Sequence, residues 1–182
     1  MGPERLITLA VLAALAVTTA SCQGSDSDTA TPTTGAPPGE QATVEWVNDG
    51  DTLTLEGGGQ VRLVQIDAPE LTTDCYGRDA LGALIDLAPK ETHIVLVRDP
   101  ELDDRDQHSR LLRYVFVGER NVNVELVNRG AASPYYFRNE RGRYAEELDD
   151  AVDEARDERR GYWGACPGAE LNTGIGSVTG PA

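Results

Sequence analysis

Between Thr43 and Ile66 the chain passes through three short extended segments joined by turns too tight to hold a helix. Thr43–Val47 is β-branched and aromatic, Thr52–Glu56 alternates apolar with polar residues, and Gln60–Ile66 continues the same habit. These compositions suit half-buried strands. Asn48-Asp49-Gly50-Asp51 and Gly57-Gly58-Gly59 stand between them, and both are turn sequences. Strands joined so closely must run antiparallel to their neighbours, because a parallel return needs a crossover of a dozen residues or more.

Beyond this meander the periodicity changes. Arg78–Leu87 places Ala80, Leu81, Leu84 and Ile85 at helical spacing. His93–Val97 and Leu111–Val117 read as a fourth and a fifth strand. Val122–Asn128 reads as a short helix closed at Gly130, and Tyr144–Arg159 as a long acidic helix with Ala145, Leu148, Val152 and Ala155 on its apolar face. Three strands, a helix, two strands and two helices predict an α+β fold, mainly β. The nearest standard architecture is a five-stranded antiparallel barrel of the oligonucleotide-binding type with three α-helices packed on it.

The ends of the chain have other roles. Leu6–Ala20 is apolar, follows a short segment with one Arg, and finishes in small residues, so residues 1–21 read as a signal peptide too short to favour a membrane span. Small residues directly before Cys22 resemble a bacterial lipoprotein signal, with Cys22 as the lipidated residue. Thr19 stands where such signals most often carry Leu, and the alternative is a plain exported protein cut near Ala20. Residues 22–41, rich in Ser, Thr, Gly and Pro, form the expected flexible tether, and Gly168–Ala182 the expected loose, disordered tail. The folded domain should span 42–167, exported and held at the cell envelope by its lipid, or otherwise secreted.

The charge limits the function. Sixteen Lys+Arg face 31 Asp+Glu, for a formal charge of −15, and Lys90 is the single lysine. A generic basic coat for nucleic acid is excluded, since its affinity would come from many phosphate contacts. An anionic substrate must be gripped by a few local guanidinium groups, which suit bidentate contacts. With Cys22 outside the domain, Cys75 and Cys166 remain as a candidate disulfide for an oxidising compartment; the alternative is two free buried thiols. No CxxC or Cys/His cluster supports a zinc site, and Asp99–Asp106 lacks the spacing and central Gly of an EF-hand.

Three segments gather acids and arginines that a core does not require: Asp49-Gly50-Asp51-Thr52, Arg62 through Asp67-Ala68-Pro69-Glu70, and Asp106-Gln107-His108-Ser109-Arg110. Singly, each also reads as a turn or a solvated strand end. Together they supply carboxylates, which as hard oxygen donors suit Ca²⁺, and two guanidinium groups able to hold a phosphate. A divalent cation, two arginines and a spare carboxylate are a working set for phosphodiester cleavage.

In that order and spacing the three motifs resemble the staphylococcal nuclease (thermonuclease) family over most of Thr43–Trp163. The resemblance implies the same barrel and a Ca²⁺-dependent hydrolysis of DNA and RNA. It implies that Asp51 and Asp67 are metal carboxylates, with the backbone carbonyl of Ala68 beside them and Asp49 in support. Arg62 and Arg110 would bind the scissile phosphate, and Glu70 would orient or deprotonate the attacking water. Gly161-Tyr162-Trp163-Gly164-Ala165-Cys166 resembles exported members in which this Cys pairs with one after the Pro-Glu motif, here Cys75. Arg62 and Asp67 would face opposite sides of a flat strand, so a bulge or strong coil near Gln65–Asp67 is required.

Two features depart from the family pattern. Members commonly carry Tyr-Gly where this chain has His108-Ser109, and a Ser alters the backbone if that position needs a positive φ. His108, Tyr135 and Tyr136 are the candidate substrate contacts. The acidic balance, concentrated in Glu146–Glu158, predicts weaker nucleic-acid binding and easier turnover of short or single-stranded substrates. The substrate classes implied are DNA and RNA, acted on by a monomer with no protein partner. The competing function is a catalytically weak or inactive nuclease-fold lipoprotein that serves as a binding module; the presence of Asp51, Arg62, Asp67, Glu70 and Arg110 together favours the enzyme.

Overall fold

The computed structural model describes Gly2 and residues 35–181. The signal segment, Cys22 and the tether as far as residue 34 lie outside the described residues. Strand β1 (Glu40–Val47) is followed by β2 (Thr52–Leu55), β3 (Gln60–Leu63) and the two-residue β4 (Ile66–Asp67). Then come helix α1 (Gly77–Leu87), β5 (His93–Val97), β6 (Leu111–Val117), β7 (Arg120–Asn121), α2 (Val122–Asn128) and β8 (Ser133–Pro134). Helix α3 (Ala145–Asp157), the single turn α4 (Tyr162–Ala165), β9 (Glu170–Asn172) and β10 (Gly176–Val178) complete the order.

The barrel runs β3-β2-β1-β5-β6 and closes where β6 returns to β3. Four of its pairings are antiparallel as expected, but the closing pair is parallel, with Arg62 opposite Leu112. The barrel is therefore mixed rather than wholly antiparallel. The reason lies in connectivity: α1 and β5 intervene between β3 and β6, and a long connection permits a parallel return. Closure leaves no exposed edge between the two strands that bear Arg62 and lead out of Arg110.

Val44, Leu53, Val61, Leu63, Ile94, Leu96 and Val115 fill the barrel, and Leu84, Leu126 and Leu148 cover it from α1, α2 and α3. Asn121 starts α2 by accepting hydrogen bonds from the N–H groups of Asn123 and Val124. Gly130, at φ 65, ends it. The Gly130 N–H donates to Val127 and the Ala131 N–H to Leu126, the paired closure that a left-handed glycine makes possible. Glu146, Glu147, Asp150, Asp153 and Glu154 point to solvent from α3, opposite Leu148, Val152 and Ala155. The acidic helix face is thus a solvated one.

Two expected boundaries shift. The tether, expected to run to residue 41, ends earlier, because β1 begins at Glu40 and pairs Glu40 and Gln41 with Leu96 and Val95. The C-terminal segment, expected to be loose, forms the antiparallel hairpin β9–β10. Its composition is Gly-rich and polar, but Leu171 packs on the core and its hydrogen-bond partners lie far back in the chain. The Cys75–Cys166 disulfide forms as expected, with Cα atoms 6.0 Å apart across a separation of 91 residues. It joins the end of α4 to the loop that precedes α1.

Candidate active site

Strand β3 carries Arg62, and the chain then breaks. Gln65 takes a left-handed conformation, φ 61, between β3 and β4. This is the coil that the odd spacing of Arg62 and Asp67 requires, and it returns both side chains to one side. The Arg62 guanidinium donates to Asp67 Oδ1 at 2.7 Å and lies 3.0 Å from Asp51 Oδ2. It also donates to the carbonyls of Leu63 and Ile66, so the fork is held by three hydrogen bonds and an ion pair to Asp51. A lysine has neither the planar fork nor enough donors for that arrangement.

Asp51 sits at the start of β2 and is 6% exposed. Its carboxylate accepts the Ala68 N–H at 2.8 Å and the Thr52 hydroxyl at 3.1 Å, and Asp49 in turn accepts the Asp51 N–H. Burial outweighs the nearby Arg62 and pushes the Asp51 carboxyl up to about 7. Asp67 is raised in the same direction by burial, against Arg62 and the Ser177 N–H, which favour its charged form. Both acids are short of positive charge with Arg62 as their shared cation.

The third motif supplies Arg110. Its Nε donates to Asp106 at 2.6 Å and one terminal nitrogen reaches the Thr52 hydroxyl at 3.3 Å. Burial opposes ionisation of Asp106, but hydrogen bonds from Arg110 and the His108 N–H outweigh it and hold the carboxyl below its ordinary range. Ser109 has φ 64. The position does take a positive φ, and here a serine adopts it, at a cost of roughly 1 kcal/mol relative to glycine.

A cleft of about 200 Å³ is lined by Asp49, Asp51, Arg62, Asp67, Ala68, Glu70 and Arg110. Every residue assigned from sequence to metal or phosphate chemistry therefore meets at one place. A larger cleft of about 470 Å³ shares Arg62 and Arg110 with it and extends past His108, Tyr135 and Phe137. The structure separates the two tyrosines. Tyr135 borders the larger cleft, whereas Tyr136 is buried and its single O–H is shared between the Asp149 carboxylate at 2.7 Å and the Ala145 carbonyl at 3.0 Å. Tyr136 is thus a strut under α3 and not a substrate contact: extended chain at this point alternates the two side chains between cleft and core.

Three residues at the site were not assigned from sequence. Asp106 orients Arg110, and a carboxylate four residues before an arginine is a readable signal. Thr52 contacts both Asp51 and Arg110. Ser177 reaches Asp67 from 110 residues away, with its N–H 2.9 Å from Oδ2, and nothing local in the sequence marks it.

A family model described as Staphylococcal nuclease homologue matches residues 60–165. An uncharacterized endonuclease of Haemophilus influenzae is 34% identical over 93 residues, 49% of this chain and 49% of that protein. The thermonuclease of Staphylococcus intermedius is 30% identical over 135 residues, 69% of this chain and 77% of its own length. The SPbeta prophage-derived endonuclease YokF of Bacillus subtilis is 29% identical over 129 residues, covering 66% of this chain and 43% of that protein. The chain spans about half the length, or less, of the Haemophilus and Bacillus relatives. The family match covers the strand bearing Arg62, the Asp67–Glu70 turn and Arg110, and extends over more than half of the sequence; the chain belongs to the staphylococcal nuclease family.

Proposed function

We propose that this chain is a Ca²⁺-dependent nuclease that hydrolyses phosphodiester bonds of DNA and RNA. The observation that carries the reading is the small cleft in which Asp51, Asp67, Arg62, Arg110 and Glu70 meet. The donor chemistry fits a hard cation: two carboxylates, both raised by burial, share the charge of a single guanidinium. Among the described residues no three acidic, His or Cys side chains converge as a cage. Asp51, Asp67 and the Ala68 carbonyl would hold the ion, with water completing its 6–8 oxygens. Such an ion, when bound, supplies Lewis-acid polarisation of the phosphate and of the attacking water.

The remaining work falls to the chain. Arg62 is drawn between Asp51 and Asp67; once these acids have another counter-charge, its fork is free to turn to a phosphate. Arg110 is already aimed by Asp106, and its position between the two clefts lets it hold the same phosphate from a second side. Charge grows on the phosphoryl oxygens in the transition state, so the two guanidinium groups act more on rate than on binding. Glu70, exposed at the rim, orients a water and accepts its proton. The larger cleft receives the adjoining nucleotide beside Tyr135 and His108.

Export fits this reading. The apolar leader supports secretion, Cys22 is the proposed lipid anchor, and the disulfide suits an oxidising compartment. The test is digestion of plasmid and single-stranded DNA and of RNA by the purified chain, with Ca²⁺ or with a chelator. Cleavage in Ca²⁺ that stops in chelator supports the proposal; no cleavage by folded, disulfide-bonded protein returns the fold to a binding role.

A further inference from the structure

The hairpin β9–β10 lies beyond the segment matched by the family model and closes on Asp67. The Ser177 N–H donates to Asp67 Oδ2 at 2.9 Å, and its hydroxyl donates to the Asp67 backbone carbonyl. Arg62 holds the other carboxylate oxygen, Oδ1, at 2.7 Å. Gly176 sits against the same group: a methyl there would stand 2.4 Å from Oδ2, and its φ of +104 favours glycine independently. The backbone can approach the carboxylate so closely only because residue 176 has no side chain.

The hairpin is itself tied down from several directions. The Thr173 carbonyl accepts the Tyr136 N–H at 2.7 Å, and the Gly180 carbonyl accepts the Cys75 N–H at 2.9 Å. Asp74 and Pro181 form a further bridge, and Leu171 packs on the core. Cys75 belongs to the disulfide, so the loop that follows Glu70 is fastened both to α4 and to this segment.

We propose that the C-terminal hairpin is a clasp for the candidate metal carboxylate, with Ser177 the residue that positions Asp67. The proposal rests on the nuclease reading above. When Arg62 turns from Oδ1 to a phosphate, the Ser177 N–H on Oδ2 and the Ser177 hydroxyl on the backbone carbonyl remain, so the hairpin is what keeps the carboxylate from rotating about its terminal bond. A donor already oriented loses less freedom when it takes a cation, and partners of this kind commonly control metal affinity. The amide uses one lone pair of Oδ2 and leaves another. The Asp67 side chain also keeps 30% exposure, so the hairpin orients the group without sealing it.

The test is calorimetric Ca²⁺ titration of the full chain and of Ser177→Ala, Ser177→Thr and Gly176→Ala, with thermal midpoints and cleavage kinetics alongside. Gly176→Ala should weaken Ca²⁺ binding about 10- to 100-fold, the range seen when partners of ligating groups are removed, and Ser177→Ala, which loses only the hydroxyl on the backbone carbonyl, should weaken it less. Ser177→Thr keeps the hydroxyl and should retain the affinity. Cleavage should lose kcat while KM for the oligonucleotide holds. Should Gly176→Ala not fold, Ser177→Pro, which removes the amide that holds Oδ2, takes its place, and the Ser177→Ala and Ser177→Thr pair reads the hydroxyl's share alone. Unaltered Ca²⁺ affinity in the folded variant that disturbs the amide contact to Oδ2, and in Ser177→Ala as well, from a parent that binds Ca²⁺ and cleaves, overturns the clasp and leaves the nuclease standing. Tighter binding in the variants also overturns it, making the hairpin a mask. A parent that neither binds Ca²⁺ nor cleaves removes the nuclease reading and the clasp together.

Discussion

The Arg62 guanidinium meets the Asp67 carboxylate at 2.7 Å although their odd separation would send them to opposite faces of an unbroken strand. The left-handed turn at Gln65 makes the meeting possible, and the Gln65 side chain offsets its strain. Its carbonyl accepts from the Tyr114 hydroxyl and the Gly142 N–H, and its amide donates to the Glu140 carbonyl. The Gln65 backbone carbonyl also accepts the Tyr135 N–H, so one turn sets both the acid–arginine pair and the cleft tyrosine.

Gln65→Ala keeps the unfavourable φ and strands the buried Tyr114 hydroxyl without an acceptor. Chemical denaturation should show a loss of about 3 kcal/mol, from several hydrogen bonds and an orphaned polar group. A loss below about 0.5 kcal/mol, the scale of an ordinary surface change, would contradict this role.

Ser109 adopts φ 64, and its side chain makes no hydrogen bond among the described residues. Ser109→Gly should therefore stabilise the protein by about 0.5–1 kcal/mol, the relief of a left-handed non-glycine less the entropy of a new glycine. Thermal unfolding should give a higher midpoint, and a lower one would refute the strain argument.

The two adjacent tyrosines separate stability from binding. Tyr136→Phe loses the bonds to Ala145 and Asp149 and should cost about 1–2 kcal/mol with KM unchanged. Tyr135→Ala should leave the thermal midpoint nearly fixed and raise KM for oligonucleotides. The reverse pattern in paired melting and steady-state measurements would show the assignment to be inverted.

The raised carboxyl of Asp51 sets a pH dependence. Its folded pKa of about 7 lies above the ordinary value of 3.8, so the folded state binds this proton more tightly than the unfolded chain does. The resulting stability is fully present below about pH 4 and is lost as pH rises through 7. In chelator, the midpoint difference between the parent and Asp51→Asn should grow in the variant's favour from pH 5 to pH 8. A difference that stays flat would mean that Asp51 ionises normally.

Much of this was legible in the sequence. The barrel follows from tight turns between alternating segments, and the site from three motifs that each combine an acid with a turn or an arginine. What local sequence could not supply was long-range pairing. The parallel contact of Leu112 with Arg62 depends on where α1 and β5 carry the chain. The C-terminal hairpin looked like a tail because Ser177 and Gly180 find partners in Asp67 and Cys75, about a hundred residues earlier. Tyr136 looked like a substrate contact because an aromatic doublet shows its spacing but not which ring turns inward.

In the proposed mechanism one cleft joins a Ca²⁺-holding acid pair to two arginines and a proton acceptor for phosphodiester hydrolysis. Single-turnover cleavage of a fluorescent oligonucleotide in Ca²⁺, by the parent and by Glu70→Gln and Arg110→Ala, tests it most directly. Rates should fall by about 10²-fold or more in each variant, from loss of a proton acceptor and of a charge donor respectively, with folding and Ca²⁺ affinity retained. Parent-like rates in both variants would contradict it and place any cleavage chemistry elsewhere on the molecule.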